Sequence, residues 1–235
     1  RRLIKENSIY LHDAKIIDTD SDDQREKRRE FGEYFFKKRW RRGFNRYEAI
    51  KIMRDRNYFG CMMVEKGEAD ALISGLTRKY PDTIRPALQT IGMKPGVKRV
   101  AGMYITLTDR GPLFLADTTI NLNPTAEELA DITLLTASNV RKFNVTPRIA
   151  MLSYSNFGSS QTPEAMLVRD ALQIVKLKDP DLVADGEIQA SMAFNEEAIR
   201  ENYPLSDLVD GGVNTLIFPN LAAGNIAYNL LMEVA

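Results

Sequence analysis

Arg148–Ala184, RIAMLSYSNFGSSQTPEAMLVRDALQIVKLKDPDLVA, decides the fold, because its apolar spacing changes twice. Arg148 to Tyr154 is a short apolar run with the length of a buried strand. Thr162 to Lys178 carries apolar residues at helical spacing, opened by Pro163 and Glu164 and closed by Lys176 and Lys178. Leu182 to Ala184 is apolar again. Strand, helix and strand in this order form the unit of a parallel sheet.

The same alternation extends in both directions. Downstream, Glu196 to Asn202 is helical, Val213 to Phe218 reads as a strand, and a final helix begins near Ala222. Upstream, Thr125 to Phe143 is a helix, with Glu127 and Glu128 in its first turn and Arg141 and Lys142 in its last, the charge order that complements a helix dipole. Strands at Val97 to Leu107 and Gly111 to Ala116 meet across a DRGP turn, so antiparallel pairing or a subunit contact is open there. A helix over Pro81 to Ile91 precedes them. Tyr58 to Val64 and Ala69 to Ser74 are apolar and read as strands, with Cys61 buried in the first. Arg46 to Arg54 is a short helix. A long helix runs from the cap cluster Asp18 to Ser21 to about Arg42, with Phe31, Tyr34, Phe35 and Trp40 on its apolar face. These patterns give an α/β fold with a mostly parallel sheet and helices on both faces.

Composition narrows the chemistry. Among 235 residues, 32 cationic side chains balance 32 anionic ones, so no global field gathers nucleic acid or an anionic membrane. The run Lys37 to Arg42, KKRWRR, could stack bases, but it closes a helix that begins acidic, which favours a stabilising role. No apolar stretch reaches the roughly 18 residues of a membrane span, and no signal peptide is visible. Cys61 is the single cysteine and His12 the single histidine. An internal disulfide, a thiolate cluster and a multi-histidine metal site are therefore excluded, and a reducing cytoplasm fits. Both ends read as cut, one inside charged sequence and the other inside a helical pattern.

Polar clusters fall after the strands, where open α/β sheets bind ligands. Gly75 to Gln89, GLTRKYPDTIRPALQ, surrounds a helix start with Arg78, Lys79 and Arg85, which is anion-binding chemistry or a solvated turn. Asp117, Thr118, Thr119 and Asn121 form a second cluster. Ser153 to Thr162 offers hydroxyls and backbone N–H groups to a phosphate, Asp185-Gly186-Glu187 follows a further strand, and Pro219 to Asn225 follows the last. No dinucleotide fingerprint, Walker loop or metal-ligand set is present.

Five stretches in this order and spacing, GLTRKYPDTIRPALQTIGMKPGVKRVAGMYI, FLADTTINLNPTAEELADI, RIAMLSYSNFGSS with PEAMLVRDAL, DLVADGEIQ and LIFPNLAAGNIAYNLL, resemble phosphotransacetylases from about Asn57 to the final residue. TRKYP before TIRPALQ, and the preceding RDRNYFGCMMVEKGEADALISG, look closer to the phosphotransacetylase-like C-terminal region of large bacterial NADP-dependent malic enzymes. The resemblance implies two α/β subdomains around a ligand cleft, an architecture like that of isocitrate and isopropylmalate dehydrogenases. It implies one truncated domain over 1–235, with a leading helical segment at 1–56 and the motif-bearing part at 57–235.

The resemblance also implies roles. Arg85 of the RPAL motif would meet CoA or acyl phosphate. Ser153, Ser155, Asn156, Gly158, Ser159 and Ser160 would line the CoA cleft. Arg78 and Tyr80, of the malic-type variant, would meet the CoA phosphates or adenine, and Asp185, Glu187 and Asn225 are further cleft candidates. Ser191 and Asn220 stand where active phosphotransacetylases commonly carry acidic residues, and a Ser-Arg motif followed by Asp lies beyond this chain. No catalytic or metal-binding residue is therefore expected here. The implied function is the regulatory domain of a malic enzyme converting malate to pyruvate and CO2, with acetyl-CoA as effector. Its partners would be a second copy within a larger homo-oligomer and a malic domain in cis that holds NADP and Mg or Mn, with no nucleic acid and no membrane. The alternative is an active phosphate acetyltransferase.

Overall fold

A computed structural model describes residues 6–7 and 14–234, so His12 lies outside the described residues. The chain divides into two compact units, Arg1–Pro95 and Gly96–Ala235.

The described part of the first unit is helical. After a 3-10 turn at Asp22–Gln24 come α1 (Arg25–Arg39), α2 (Arg46–Ile52), α3 (Arg56–Glu65) and α4 (Tyr80–Thr90). Tyr58 to Val64 is not a strand but most of α3. The Asp55 carboxylate accepts the N–H groups of Asn57 and Tyr58 and starts the helix, and Tyr58, Phe59, Cys61 and Met62 then repeat at helical spacing on its buried side. Apolar runs of this length fit either period. Ala69 to Ser74 makes no ladder either, because this unit offers it no strand among the described residues, and Ile73 is fully exposed.

The core of this unit joins Phe31 and Phe35 of α1, Ala49 of α2, Met53, and Tyr58, Phe59 and Met62 of α3. Phe35 meets Phe44 and Tyr58 edge-on, at centroid distances of 4.9 and 5.8 Å. Trp40 instead lies outside with Arg41 beside its ring, because the chain leaves α1 through a 3-10 turn ending at Gly43 with φ 86°. Lys38 pairs with Glu65 at 2.6 Å, so part of the basic run serves the packing of this unit. Burial pushes the Cys61 thiol up to about 11. Folded protein should therefore resist iodoacetamide at pH 8 and react on urea unfolding, as a mass shift of one carbamidomethyl group would show. Rapid labelling of the folded form would contradict this burial.

The second unit carries a five-stranded sheet of order β1-β2-β5-β3-β4. Strands β1 (Met103–Thr108) and β2 (Gly111–Ala116) pair antiparallel across Asp109-Arg110, as the DRGP turn suggests. Val97 to Gly102, expected to extend β1, makes no strand. Strands β3 (Arg148–Leu152), β4 (Val183–Ile188) and β5 (Thr215–Ile217) run parallel to one another and to β2. Between them come α5 (Ala126–Arg141), α6 (Pro163–Lys178), α7 (Ala190–Ala193) and α8 (Glu196–Asn202), with α9 (Leu221–Val234) last. Thr125 and Glu128 form a capping box that starts α5.

Alternate residues of the central strands enter two cores. Ala116, Ile149, Met151 and Ile217 pack with Leu129, Val168 and Val175 of α5 and α6. Leu115, Ala150, Leu152 and Leu216 pack on the other face with Ala193, Ile199 and Leu208. Both faces are covered, which is why these strands are apolar throughout rather than alternating.

Candidate ligand site at the carboxyl ends of the parallel strands

Four parallel strands end on one edge of this sheet, and each delivers a polar group there. After β2, Asp117 is buried and accepts backbone N–H groups from Gly102, Thr119, Ile120 and Asn121 at 3.2, 2.9, 3.1 and 3.0 Å. Thr118 follows, its carbonyl accepting the Asn225 amide of α9 at 3.3 Å. Gly224 allows this approach, because a Cβ there would stand 2.5 Å from the Asp117 carbonyl oxygen. After β5, the Asn220 side chain accepts the N–H of Ala223 at 2.9 Å and so caps the start of α9.

Strand β4 is longer than its sequence suggests. It runs through Asp185, Gly186 and Glu187, so these residues are the strand end rather than a loop. Gly186 has φ 151°, and a Cβ on it would meet the Met151 carbonyl oxygen at 2.4 Å, so only glycine lets β4 lie against β3 here. The two carboxylates of this segment have different partners. Asp185 accepts from Ser206 Oγ at 2.7 Å and the Asp207 N–H at 3.0 Å, and so holds the turn before β5. Glu187 is fully buried beneath the Ser153 to Thr162 segment.

That segment is held from within. Its Ser155 hydroxyl and Gly158 N–H each donate to Glu187 Oε1 at 2.8 Å, and the Phe157 N–H donates to the Glu187 carbonyl at 2.7 Å. Asn156 exchanges hydrogen bonds with Gln189, while the Ser159 hydroxyl accepts the Asn156 N–H at 3.0 Å. Ser160 offers its carbonyl to Arg169 Nη2 at 2.6 Å, and its hydroxyl lies 3.2 Å from that of Thr162. The N–H groups of Phe157, Gly158 and Ser159 are thus engaged inside the protein, which corrects the expectation that they stand open to a phosphate.

A cavity of about 410 Å³ lies beside this segment, lined by Ser153, Tyr154, Glu164 and Asn220 among apolar walls from Leu152, Phe218 and Ala223. Ser153 is the one residue of the expected serine-rich set on this lining. The cavity suits a partly apolar ligand segment, with hydroxyl, amide and carboxylate groups in its lining. Among the described residues no group of three or more His, Cys, Asp or Glu is placed to hold a metal ion, and no helix is long and apolar enough to cross a membrane.

The other expected site residues lie in the first unit. Arg78 pairs with Asp55 at 2.9 Å, the same carboxylate that starts α3. Tyr80 opens α4 and is half exposed. Arg85 is exposed one turn later, and its charge partly offsets the rise that burial imposes on the Tyr58 phenol. Buried Asn57 ties this region together, accepting from the Ser74 hydroxyl at 2.7 Å and donating to the Asp82 carbonyl at 3.2 Å.

Sequence reading missed Arg169, whose Nε lies 3.2 Å from Glu187 Oε2. The sole signal was a cation directly after the apolar run Ala165 to Val168 of α6. Side chains on a helix lean toward its N-terminus, which carries this guanidinium back to Ser160.

Comparison with known proteins places these features in a family. The chain is 41% identical over 187 residues to phosphate acetyltransferase of Bacillus subtilis, covering 80% of this chain and 58% of that protein. It is 38% identical over 223 residues to NADP-dependent malic enzyme of Escherichia coli, covering 93% of this chain but 28% of that protein. The chain therefore spans less than two thirds of either relative. A phosphotransacetylase structure from Streptococcus pyogenes superposes with a TM-score of 0.86 at 37% identity, covering 99% of this chain and 70% of that one. The model of the Phosphate acetyl/butaryl transferase family matches residues 1–235, and with a shared sheet, shared helices and this level of identity, the chain belongs to that family.

Proposed function

We propose that this chain is the phosphotransacetylase-like region of an NADP-dependent malic enzyme and that it binds acetyl-CoA as an allosteric effector. The supporting observation is the cavity at the carboxyl edge. Its lining is largely apolar, and Asn220 occupies a place where active relatives were expected to carry a carboxylate. An Asn caps α9 as well as an Asp would, so this position keeps its structural role without an ionised base. Binding survives such a change, whereas activation of a thiol needs a proton acceptor, for which Glu164 is the carboxylate left on this lining.

On this reading Arg85, with Arg78 and Tyr80, meets the phosphates of the ligand. Arg78 would have to exchange its bond with Asp55 for one with the ligand. The protein acts in the cytoplasm as a homodimer within a larger homo-oligomer, and NADP and the divalent metal belong to a malic domain in cis. A second reading, active phosphate acetyltransferase, is favoured by the 41% identity to the Bacillus subtilis protein.

Titration of the full-length protein with acetyl-CoA during malate oxidation tests the first reading. Inhibition is expected, and Arg85→Ala should raise the half-inhibiting concentration about tenfold or more, the loss of one charge-assisted hydrogen bond. Unchanged inhibition in the variant would remove Arg85 from the site. Steady formation of acetyl phosphate from acetyl-CoA and phosphate would establish the second reading instead.

A further inference from the structure

We propose that Glu187 is a built-in anion that shapes the Ser153 to Thr162 segment, so that this carboxylate is a positioning residue for the cavity wall made by Ser153 and Tyr154. Phe157 and Gly158 both have positive φ, 43° and 90°. Left-handed backbone at these two neighbouring positions reverses the chain over Glu187. Here the two N–H groups point at one residue, Phe157 at the Glu187 carbonyl and Gly158 at its carboxylate. The Ser155 hydroxyl adds a third donor, and the Arg169 guanidinium supplies the countercharge. One backbone N–H and one hydroxyl of the segment thus meet a carboxylate of the same chain.

Burial makes the arrangement demanding. Glu187 has no exposed surface, and its Oε2 lies 3.2 Å from Arg169 Nε as an ion pair without the alignment of a hydrogen bond. Oε1 therefore carries the directional bonds and Oε2 the Coulombic one. Arg169 is fixed in turn by the Ser160 carbonyl, so both ends of the segment depend on the one pair. The segment meets Glu187 on its inner side, whereas Ser153 and Tyr154 line the cavity. Donors spent on Glu187 are withheld from a ligand, which meets Ser153, Tyr154 and the apolar wall at the cavity.

Removing the carboxylate should open a place for a small one. In the full-length protein, Glu187→Ala should speed amide hydrogen exchange within residues 153–162 at least about tenfold, the factor expected for one lost charge-assisted hydrogen bond. Sodium formate should restore protection saturably, where sodium chloride at equal ionic strength does not. Formate should fail in the double variant Glu187→Ala/Arg169→Gln, which lacks the countercharge. Unchanged exchange in Glu187→Ala, or loosening that formate leaves untouched, would overturn the proposal. If Glu187→Ala does not fold, Glu187→Gln keeps the volume and removes the charge, and undisturbed exchange in that variant would equally overturn it. The effect on ligand rests on the reading proposed above and is measured separately, as CoA binding by calorimetry with and without formate. Failure of the wild-type protein to bind CoA would defeat that reading while the exchange result still decides the role of Glu187.

Discussion

Arg169→Met should lower the stability of the protein by about 3–5 kcal/mol, the usual consequence of leaving a buried charge without its partner. Glu187 is fully buried, and the guanidinium of Arg169 is its only cation among the described residues. Methionine retains much of the packing of the Arg169 stem, so the loss is chiefly electrostatic. Equilibrium urea unfolding measures it. Adding Glu187→Gln to Arg169→Met should then recover at least about 1 kcal/mol by removing the stranded charge, although the bonds from Ser155 and Gly158 are weakened. A cost below about 1 kcal/mol for Arg169→Met would mean that Glu187 does not depend on this pair.

Asp117→Ala should be comparably damaging, at about 3–5 kcal/mol, because four backbone N–H groups lose their acceptor together and unsatisfied buried donors cost about 1–3 kcal/mol each before water reaches some of them. The bond from Gly102 ties the irregular segment before β1 to the end of β2, and the cluster lies against Gly224 of α9. Damage should therefore spread to both neighbours, visible as faster amide exchange at Gly102 and at the start of α9. A stability change within about 0.5 kcal/mol, as at an ordinary surface site, would show that this carboxylate holds nothing together.

Local signals carried most of the second unit. The periods of Arg148 to Tyr154 and Thr162 to Lys178 differ enough to separate strand from helix, and two of their consequences, parallel pairing and covered faces, followed. The DRGP turn left antiparallel pairing or a subunit contact open, and the two strands pair as a hairpin. The first unit was harder to read. Tyr58 to Val64 is apolar throughout and fits either period, and the deciding residue, Asp55, stands outside the run. Asp185-Gly186-Glu187 looked like a turn because glycine usually interrupts a strand, yet Gly186 keeps β4 against β3 where any side chain would strike Met151.

At the site, position at the strand ends was legible and partnership was not. Ser153 to Thr162 could be identified as a loop rich in donors, but the group receiving those donors lies 29 residues beyond Gly158 and 32 beyond Ser155. No spacing rule spans such a gap. Asp185 and Glu187 look equivalent in sequence, and tertiary contacts alone assign one to the Ser206-Asp207 turn and the other to the loop.

The strand order also governs how the second unit is made. β5, the latest of these five strands in the chain, sits in the middle of the sheet, between β2 and β3. Ala116 and its partner Ile217 are separated by 101 residues, about 5–20 s of synthesis at typical elongation rates. Until β5 is made the β1–β2 hairpin keeps an open inner edge, and once synthesis passes Ile188 the β3–β4 pair is a second half-sheet with its own, each able to pair wrongly with another nascent chain. A three-residue strand, Thr215–Ile217, must then join them, so a small late segment controls whether the whole sheet closes.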